Sequence, residues 1–265
     1  MTAAINARLD LILTELRLPS IKRLALDLCA QSDREGWPGN RLLEALFEHE
    51  MNERDVRRIE RHRTESALSA DKRLSSFDFA AVPAVSKAQV MALATGHEWI
   101  ERGANVLLFG PPGVGKTHLI SGLGHALIDA GRRVLFMRCS ELVQRLQTAR
   151  RDLRLANELA KLDRFDLLVL DDLSYVRRDQ AETSVLFELI AERYERKSIA
   201  LTANTPFSQW GEVFVDAAMT VAAVDRLVHH STILEMNVQS YRRRAAEAAQ
   251  APTKRARAAT TTATT

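Results

Sequence analysis

Gly110, Pro111, Pro112, Gly113, Val114, Gly115, Lys116 and Thr117 match the pattern G-x-x-x-x-G-K-[S/T] in full. The chemistry this spacing supports is the binding of a nucleoside triphosphate. Glycines let a turn adopt conformations closed to other residues, so that backbone N–H groups face phosphate oxygens. A helix opening at Lys116 adds the partial positive charge of its N-terminus. Lys116 is placed to reach the β- and γ-phosphates, and the Thr117 hydroxyl to ligate Mg2+. The nucleotide-binding stretch is expected to run on to His118.

Further along, "LLVLDD" ends an apolar run in Asp171 and Asp172. Asp171 is expected to hold Mg2+ together with Thr117. A second carboxylate, Asp172, can orient and polarise the water that attacks the γ-phosphate. Its other reading is a helix cap. Asn204, in "LTANTPFSQW", can hydrogen-bond that water or the γ-phosphate, although Asn before Thr-Pro is also an ordinary turn residue. Arg226 sits in "VDRLVHHS" and would be a surface arginine if it stood alone. His229 and His230 beside it do not suggest metal, because adjacent residues of a helix point to different faces.

These groups need a scaffold that gathers them. "NVLLF" (105–109), "RVLFMR" (133–138), "FDLLVLDD" (165–172), "SIALTAN" (198–204) and "STILEM" read as strands, and the stretches between them read as helices. Strands alternating with helices predict an α/β fold with a parallel sheet and crossover helices. Ligands of such a sheet lie beyond the carboxyl ends of its strands. Residues 1–75 read instead as a small all-helical domain. Pro19 is expected to close its first helix and Ser20 to cap the second, with Asn40 a cap for the third. The composition changes near Arg73, so the α/β domain is expected over 76–244. The Ala/Thr-rich tail, 245–265, has little to bury and is expected to be disordered.

Hydrophobic residues at 46% and charged residues at 27% of the 265 are ordinary for a soluble protein with a full core. No apolar run approaches the roughly 20 residues a membrane helix needs, and the N-terminus is amphipathic rather than signal-like. A cytoplasmic location without membrane contact is expected. Cys29 and Cys139 form neither a zinc motif nor a disulfide framework. The net charge of +3 permits a nucleic-acid partner without requiring one.

"GPPGVGKT", "LLVLDD", "LTAN" and "DRLVHHS" stand in one order, and with them the sequence resembles an AAA+ ATPase. More narrowly, "GANVLLFGPPGVGKTHL", "LLVLDDLSY", "LTANTPFSQWGEVF" and "DRLVHHSTILEMNVQSYR" resemble the IstB-like family of transposition helper proteins, relatives of the DnaC helicase loader. The resemblance spans residues 77–244, and "LRLPSIKRLALDL" extends it into the helical module. It implies an AAA+ P-loop domain with a five-stranded parallel sheet, hydrolysing ATP with Mg2+. It implies Walker A residues at Lys116 and Thr117, and Walker B acids at Asp171 and Asp172. Asn204 would be the first sensor, and Arg226 an arginine finger reaching the neighbouring subunit's ATP. Arg242 or Arg243 is similar to the second sensor.

The family's extra helix after the second strand would contact double-stranded DNA through Arg145, Arg150, Arg151 and Arg154. Arg150 and Arg154, four apart, are expected to share a helix face. The function implied is an ATP-dependent regulator of DNA transposition. It would assemble on DNA as an ATP-dependent homo-oligomer, remodel target DNA and recruit the transposase of the same element. The alternative is a DnaC-type loader of a replicative helicase. A nucleotide or small-molecule kinase is disfavoured by Asp172, Asn204 and Arg226.

Overall fold

The computed structural model describes residues 2–96, 98–173, 180–206, 210 and 216–238. It divides into two compact units, Met1–Arg61 and His62–Thr265.

The first unit holds α1 (Thr2–Glu15), α2 (Pro19–Glu35) and most of α3 (Gly39–Glu65), within which the division falls. Leu13, Ile21 and Ala25 form its small core, with Leu18 and Leu46 packed against them. Three expectations about helix ends need correction. The first helix already ends at Glu15, and Pro19 opens the second, at a position where its missing N–H costs nothing. Ser20 does not cap α2. The buried Glu50 of α3 does so, accepting the N–H groups of Ser20 at 2.8 Å and Ile21 at 3.1 Å. Burial pushes the Glu50 carboxyl up, but the Ile21 N–H, Arg54 and the Ser20 N–H outweigh it and leave the group below the usual carboxylate range. The third helix begins at Gly39, so Asn40 lies inside it.

The second unit is built on five strands: β1 (Asn105–Phe109), β2 (Val134–Arg138), β3 (Leu167–Asp171), β4 (Ser198–Ala203) and β5 (Ser231–Glu235). They pair in the order β2-β3-β4-β1-β5, and each pairing is parallel. The fold is therefore the expected α/β arrangement. β1 and β4 are buried along their whole length, and β3 up to Leu170. That is why they read as continuous apolar runs instead of alternating ones. Leu168, Leu170 and Leu201 from the sheet pack with Leu142 and Leu146 of α7 (Cys139–Arg151) and Leu186 and Leu189 of α9 (Gln180–Arg193). Burying each such side chain contributes about 1.5–3 kcal/mol.

The remaining helices are α4 (Lys87–Thr95), α5 (Glu98–Glu101), α6 (Lys116–Asp129), α8 (Leu155–Leu162) and α10 (Ala217–Val228). The change in composition near residue 73 lies inside this unit. Before it, the Ser66 carbonyl accepts the N–H of Phe136 on β2 at 2.8 Å, and Glu65 pairs with Arg133 at 2.8 Å. After it, residues 73–77 lie along α6. A Cβ added to Gly122 would come within 2.8 Å of the Leu74 nitrogen, so the close approach requires glycine. The residues from 239 onward, with Arg242, Arg243 and the tail, lie outside the described residues.

Candidate functional site

Three adjacent strands end on one edge of the sheet and deliver the polar residues there. β1 leads into the glycine loop and α6, β3 ends in Asp171, and β4 is followed by Asn204. Neighbouring strands lie about 4.8 Å apart, so side chains from β1, β3 and β4 can meet directly. The loop geometry depends on glycine. Gly110 has φ 153°, and a Cβ there would fall 2.6 Å from the Met236 carbonyl oxygen. Gly115 has φ 102° and caps α6 from the left-handed region.

Lys116 is buried, and its ammonium donates to the carbonyls of Gly110 at 2.6 Å and Pro111 at 3.0 Å and to Asn204 Oδ1 at 2.6 Å. Asn204 Nδ2 in turn donates to Asp172 Oδ1 at 2.9 Å. The Thr117 hydroxyl lies 3.0 Å from both Asp171 oxygens. The residues named from separate motifs are thus one connected network. Burial lowers the Lys116 pKa, and the charges of Asp172 and Asp171 oppose that shift. Partial burial raises the Asp172 pKa, and the neighbouring Asp171 charge adds to it. Lys116 and the Asn204 hydrogen bond pull the other way without cancelling it. Asp172 occupies the left-handed region at φ 66°, which Asp and Asn tolerate better than other side chains.

One member of this network was not singled out in sequence. The Thr202 hydroxyl donates to Asp171 Oδ1 at 2.6 Å and accepts the Asp172 N–H at 2.9 Å, fixing both acids from β4. Its signal is a hydroxyl residue inside an otherwise apolar strand. Phe77 packs against the loop, its ring carbon 3.1 Å from where a Gly115 Cβ would stand. Its ring meets His118 edge-on, with centroids 5.4 Å apart. The His118 imidazole hydrogen-bonds with the Arg73 carbonyl at 3.0 Å and lies 3.1 Å from the Ser76 hydroxyl. Its side chain serves the 73–77 segment, and only its backbone continues the phosphate loop.

Arg226, on the last turn of α10, does not join the network among the described residues. Its guanidinium donates to the Ala222 carbonyl at 3.0 Å and lies 5.1 Å from the centre of the Phe187 ring. The four arginines after β2 do not join the network either, although Arg145 and Arg154 line a common cleft with Lys161 and Arg164. Arg145 pairs with the buried Glu158, and Arg150 with Glu188 and Ser184. Arg151 and Arg154 are exposed. The expectation that Arg150 and Arg154 share a helix face is overturned. α7 stops at Arg151, Leu153 takes φ 55°, and Arg154 stands before α8. A sequence spacing of four sets a common face only while the helix continues.

The cluster can hold a triphosphate and a hard cation. Loop N–H groups, the α6 N-terminus and Lys116 supply positive character, and Thr117 with Asp171 supplies adjacent oxygen donors of the kind Mg2+ takes. Comparison with known proteins agrees. The family model described as IstB-like ATP binding protein matches residues 12–249. An insertion-sequence ATP-binding protein of Sinorhizobium fredii is 63% identical over 91% of this chain and 81% of its own. The corresponding protein of the insertion sequence IS21 from Pseudomonas aeruginosa is 38% identical over 88% of each chain. Among solved structures, AMPPCP-bound DnaA from Aquifex aeolicus superposes with a TM-score of 0.53 at 17% identity, covering 64% of this chain and 51% of that one. At that identity the likeness speaks for the fold alone.

Proposed function

This chain belongs to the family of IstB-like ATP-binding proteins, an AAA+ ATPase associated with transposition, and from that premise we propose that it is an ATP-dependent regulator of DNA transposition. It assembles on double-stranded DNA as a homo-oligomer, remodels that DNA and recruits or activates the transposase of its element. Hydrolysis then dissolves the assembly. The observation that carries the reading is the network joining Lys116, Asn204 and Asp172 beside Thr117 and Asp171.

In this reading, an arriving triphosphate takes the Lys116 ammonium away from the Gly110 and Pro111 carbonyls and Asn204. Asn204 is then released to the attacking water, and Asp172 orients that water and receives its proton. Thr117 and Asp171 would hold Mg2+, which neutralises developing charge on the phosphates when bound. Thr202 keeps both acids in place. Arg226 works in trans, its helix forming part of the face offered to the next subunit's ATP.

Arg151 and Arg154, with Arg145 and Arg150 behind them, contribute to a surface that meets phosphates without reading sequence. Residues 1–75 mediate self-association or partner docking. Large apolar side chains exposed on the first unit, Leu11, Leu26, Phe47 and Met51 among them, support that role. The experiment is sedimentation of the protein on duplex DNA with a non-hydrolysable ATP analogue, followed by capture of the element's transposase. ATP- and DNA-dependent oligomers that retain the transposase are expected. Assemblies that instead bind a replicative helicase through residues 1–75, and ignore the transposase, would overturn the reading in favour of a loader.

A further inference from the structure

At the opposite edge of the sheet from the phosphate loop, three metal-ligating side chains meet. α10 ends at Val228, with His229 as its C-cap still in helical conformation (φ −48°, ψ −47°), and His230 follows where the chain turns into β5. Their ring centres lie 3.9 Å apart with the planes tilted by 37°, which corrects the expectation that they face different ways. Both address the same carboxylate oxygen. Glu195 Oε1 lies 3.6 Å from His229 Nδ1 and 3.4 Å from His230 Nε2. One donor atom from each of the three residues can be chosen so that all lie within 4.8 Å of one another.

The backbone anchors each ligand independently. Glu195 sits in the left-handed region at φ 56°, in the turn after α9, a position that commonly takes glycine. That turn packs tightly on Gly103, where an added Cβ would fall 2.7 Å from the Arg196 nitrogen. The His230 carbonyl accepts the Asn105 N–H at 2.7 Å at the start of β1. His229 is held by the Tyr194 hydroxyl, 2.7 Å from its Nδ1, and by stacking on the Tyr194 ring.

We propose that Glu195, His229 and His230 form a site for a divalent transition metal ion of the zinc type, separate from the Mg2+ of the nucleotide. Metal–nitrogen and metal–oxygen bonds of about 2.0–2.2 Å in a tetrahedron put ligand atoms about 3.3–3.5 Å apart. The two separations from Glu195 lie at or just beyond that spacing. Two imidazoles and one carboxylate select zinc, cobalt or nickel over magnesium and calcium, which take oxygen ligands. A water fills the fourth position. The Tyr194 hydroxyl gives up Nδ1 to the ion and turns to the free carboxylate oxygen as an outer partner. The site ties the turn after α9 to the end of α10, one turn beyond Arg226. It is a clip that fixes this helix end. β1 separates it from the phosphate loop by five residues, about 16 Å.

The test uses the full-length chain, with Zn2+ titrated against a chromophoric chelator and Co2+ followed by its visible spectrum. One equivalent of Zn2+ should bind and raise the unfolding temperature. Co2+ should give the intense bands of a four- or five-coordinate site. Glu195→Gln, and separately the pair His229→Ala with His230→Ala, should each weaken Zn2+ by at least the roughly 10–100-fold that loss of an outer partner alone costs. Lys116→Ala, and a large excess of Mg2+, should leave Zn2+ binding unchanged. The absence of stoichiometric binding by the unaltered chain would overturn the site. So would full affinity in Glu195→Gln, which keeps the side-chain shape and so reads out even if the histidine pair variant misfolds.

Discussion

The strand-end polar groups and the arginines on helices are both rows of charged residues, but the fold treats them differently. At the sheet edge, Lys116, Asp171, Asp172 and Asn204 come from three adjacent parallel strands and bond to one another. Thr202 inside β4 braces the acids. Away from the strand ends, Arg145 and Arg150 are matched by Glu158 and Glu188, Arg154 lies 3.8 Å from Asp152, Arg226 lies along its own helix and over Phe187, and Arg151 faces solvent. A strand end can point only into the crevice, so its side chains converge. A helix side chain meets whatever the neighbouring helix presents, and its charge is often answered locally before any partner arrives.

That contrast can be broken most forcefully at Arg226. If it acts across a subunit boundary, Arg226→Ala should bind ATP normally yet lose turnover by about 10³–10⁵-fold. Mixing it with Lys116→Ala should recover part of the rate, because a mixed interface can contain one intact site. Steady-state phosphate release across mixing ratios checks this. No recovery in oligomers that demonstrably mix would return Arg226 to a purely structural role on α10.

Asp172→Asn probes the strand-end side. Asn can hold the same backbone conformation and still accept from Asn204 Nδ2. Nucleotide affinity and folding should therefore persist while hydrolysis falls by about 10²–10⁴-fold. Turnover equal to the unaltered protein would leave Asp172 as a brace and nothing more.

The exposed arginines sharpen the comparison from the other side. Each phosphate neutralised on duplex DNA contributes a slope of about −0.9 in log affinity against log salt. Removing Arg151 and Arg154 together should flatten that slope more than removing Arg145 and Arg150, which Glu158 and Glu188 hold more closely than Asp152 holds Arg154 at 3.8 Å. Fluorescence anisotropy at several salt concentrations measures both. Equal slopes would mean that the acids release their partners to DNA. Truncation after Arg244 separates any contribution from the basic tail.

The smallest effect is in pH. Asp172 has its pKa raised by partial burial and by Asp171. The shift has a sign for stability. A carboxyl raised in the folded state binds its proton more tightly there than in the unfolded chain. Ionised Asp172 therefore costs stability once pH rises above the unfolded value. Asp172→Asn should gain slightly on the unaltered protein between that value and neutrality, and urea midpoints at acid and neutral pH check it. A variant that becomes relatively weaker over that range would reverse the assignment.

The sequence alone determined the fold class and most of the phosphate-edge cluster. Buried parallel strands must be continuous apolar runs, and a glycine loop between a strand and a helix has few other uses, so Gly110–Thr117, Asp171 and Asn204 stood out by type and position. Only the tertiary structure decided the rest, because the remaining questions depended on residues distant along the chain or on where a helix stops. Ser20 looked like a cap until Glu50, thirty positions away, took its N–H. Arg150 and Arg154 shared a face only on paper, because the chain turns at Leu153. Thr202 and Phe77 showed their contacts only once β4 and the 73–77 segment were laid against β3 and the phosphate loop. His229 and His230 would diverge within a helix but converge on Glu195 because His229 is the last helical residue and the chain turns at His230. Periodicity and motif are local and can be read from a string, whereas which charge answers which is set by packing across the chain.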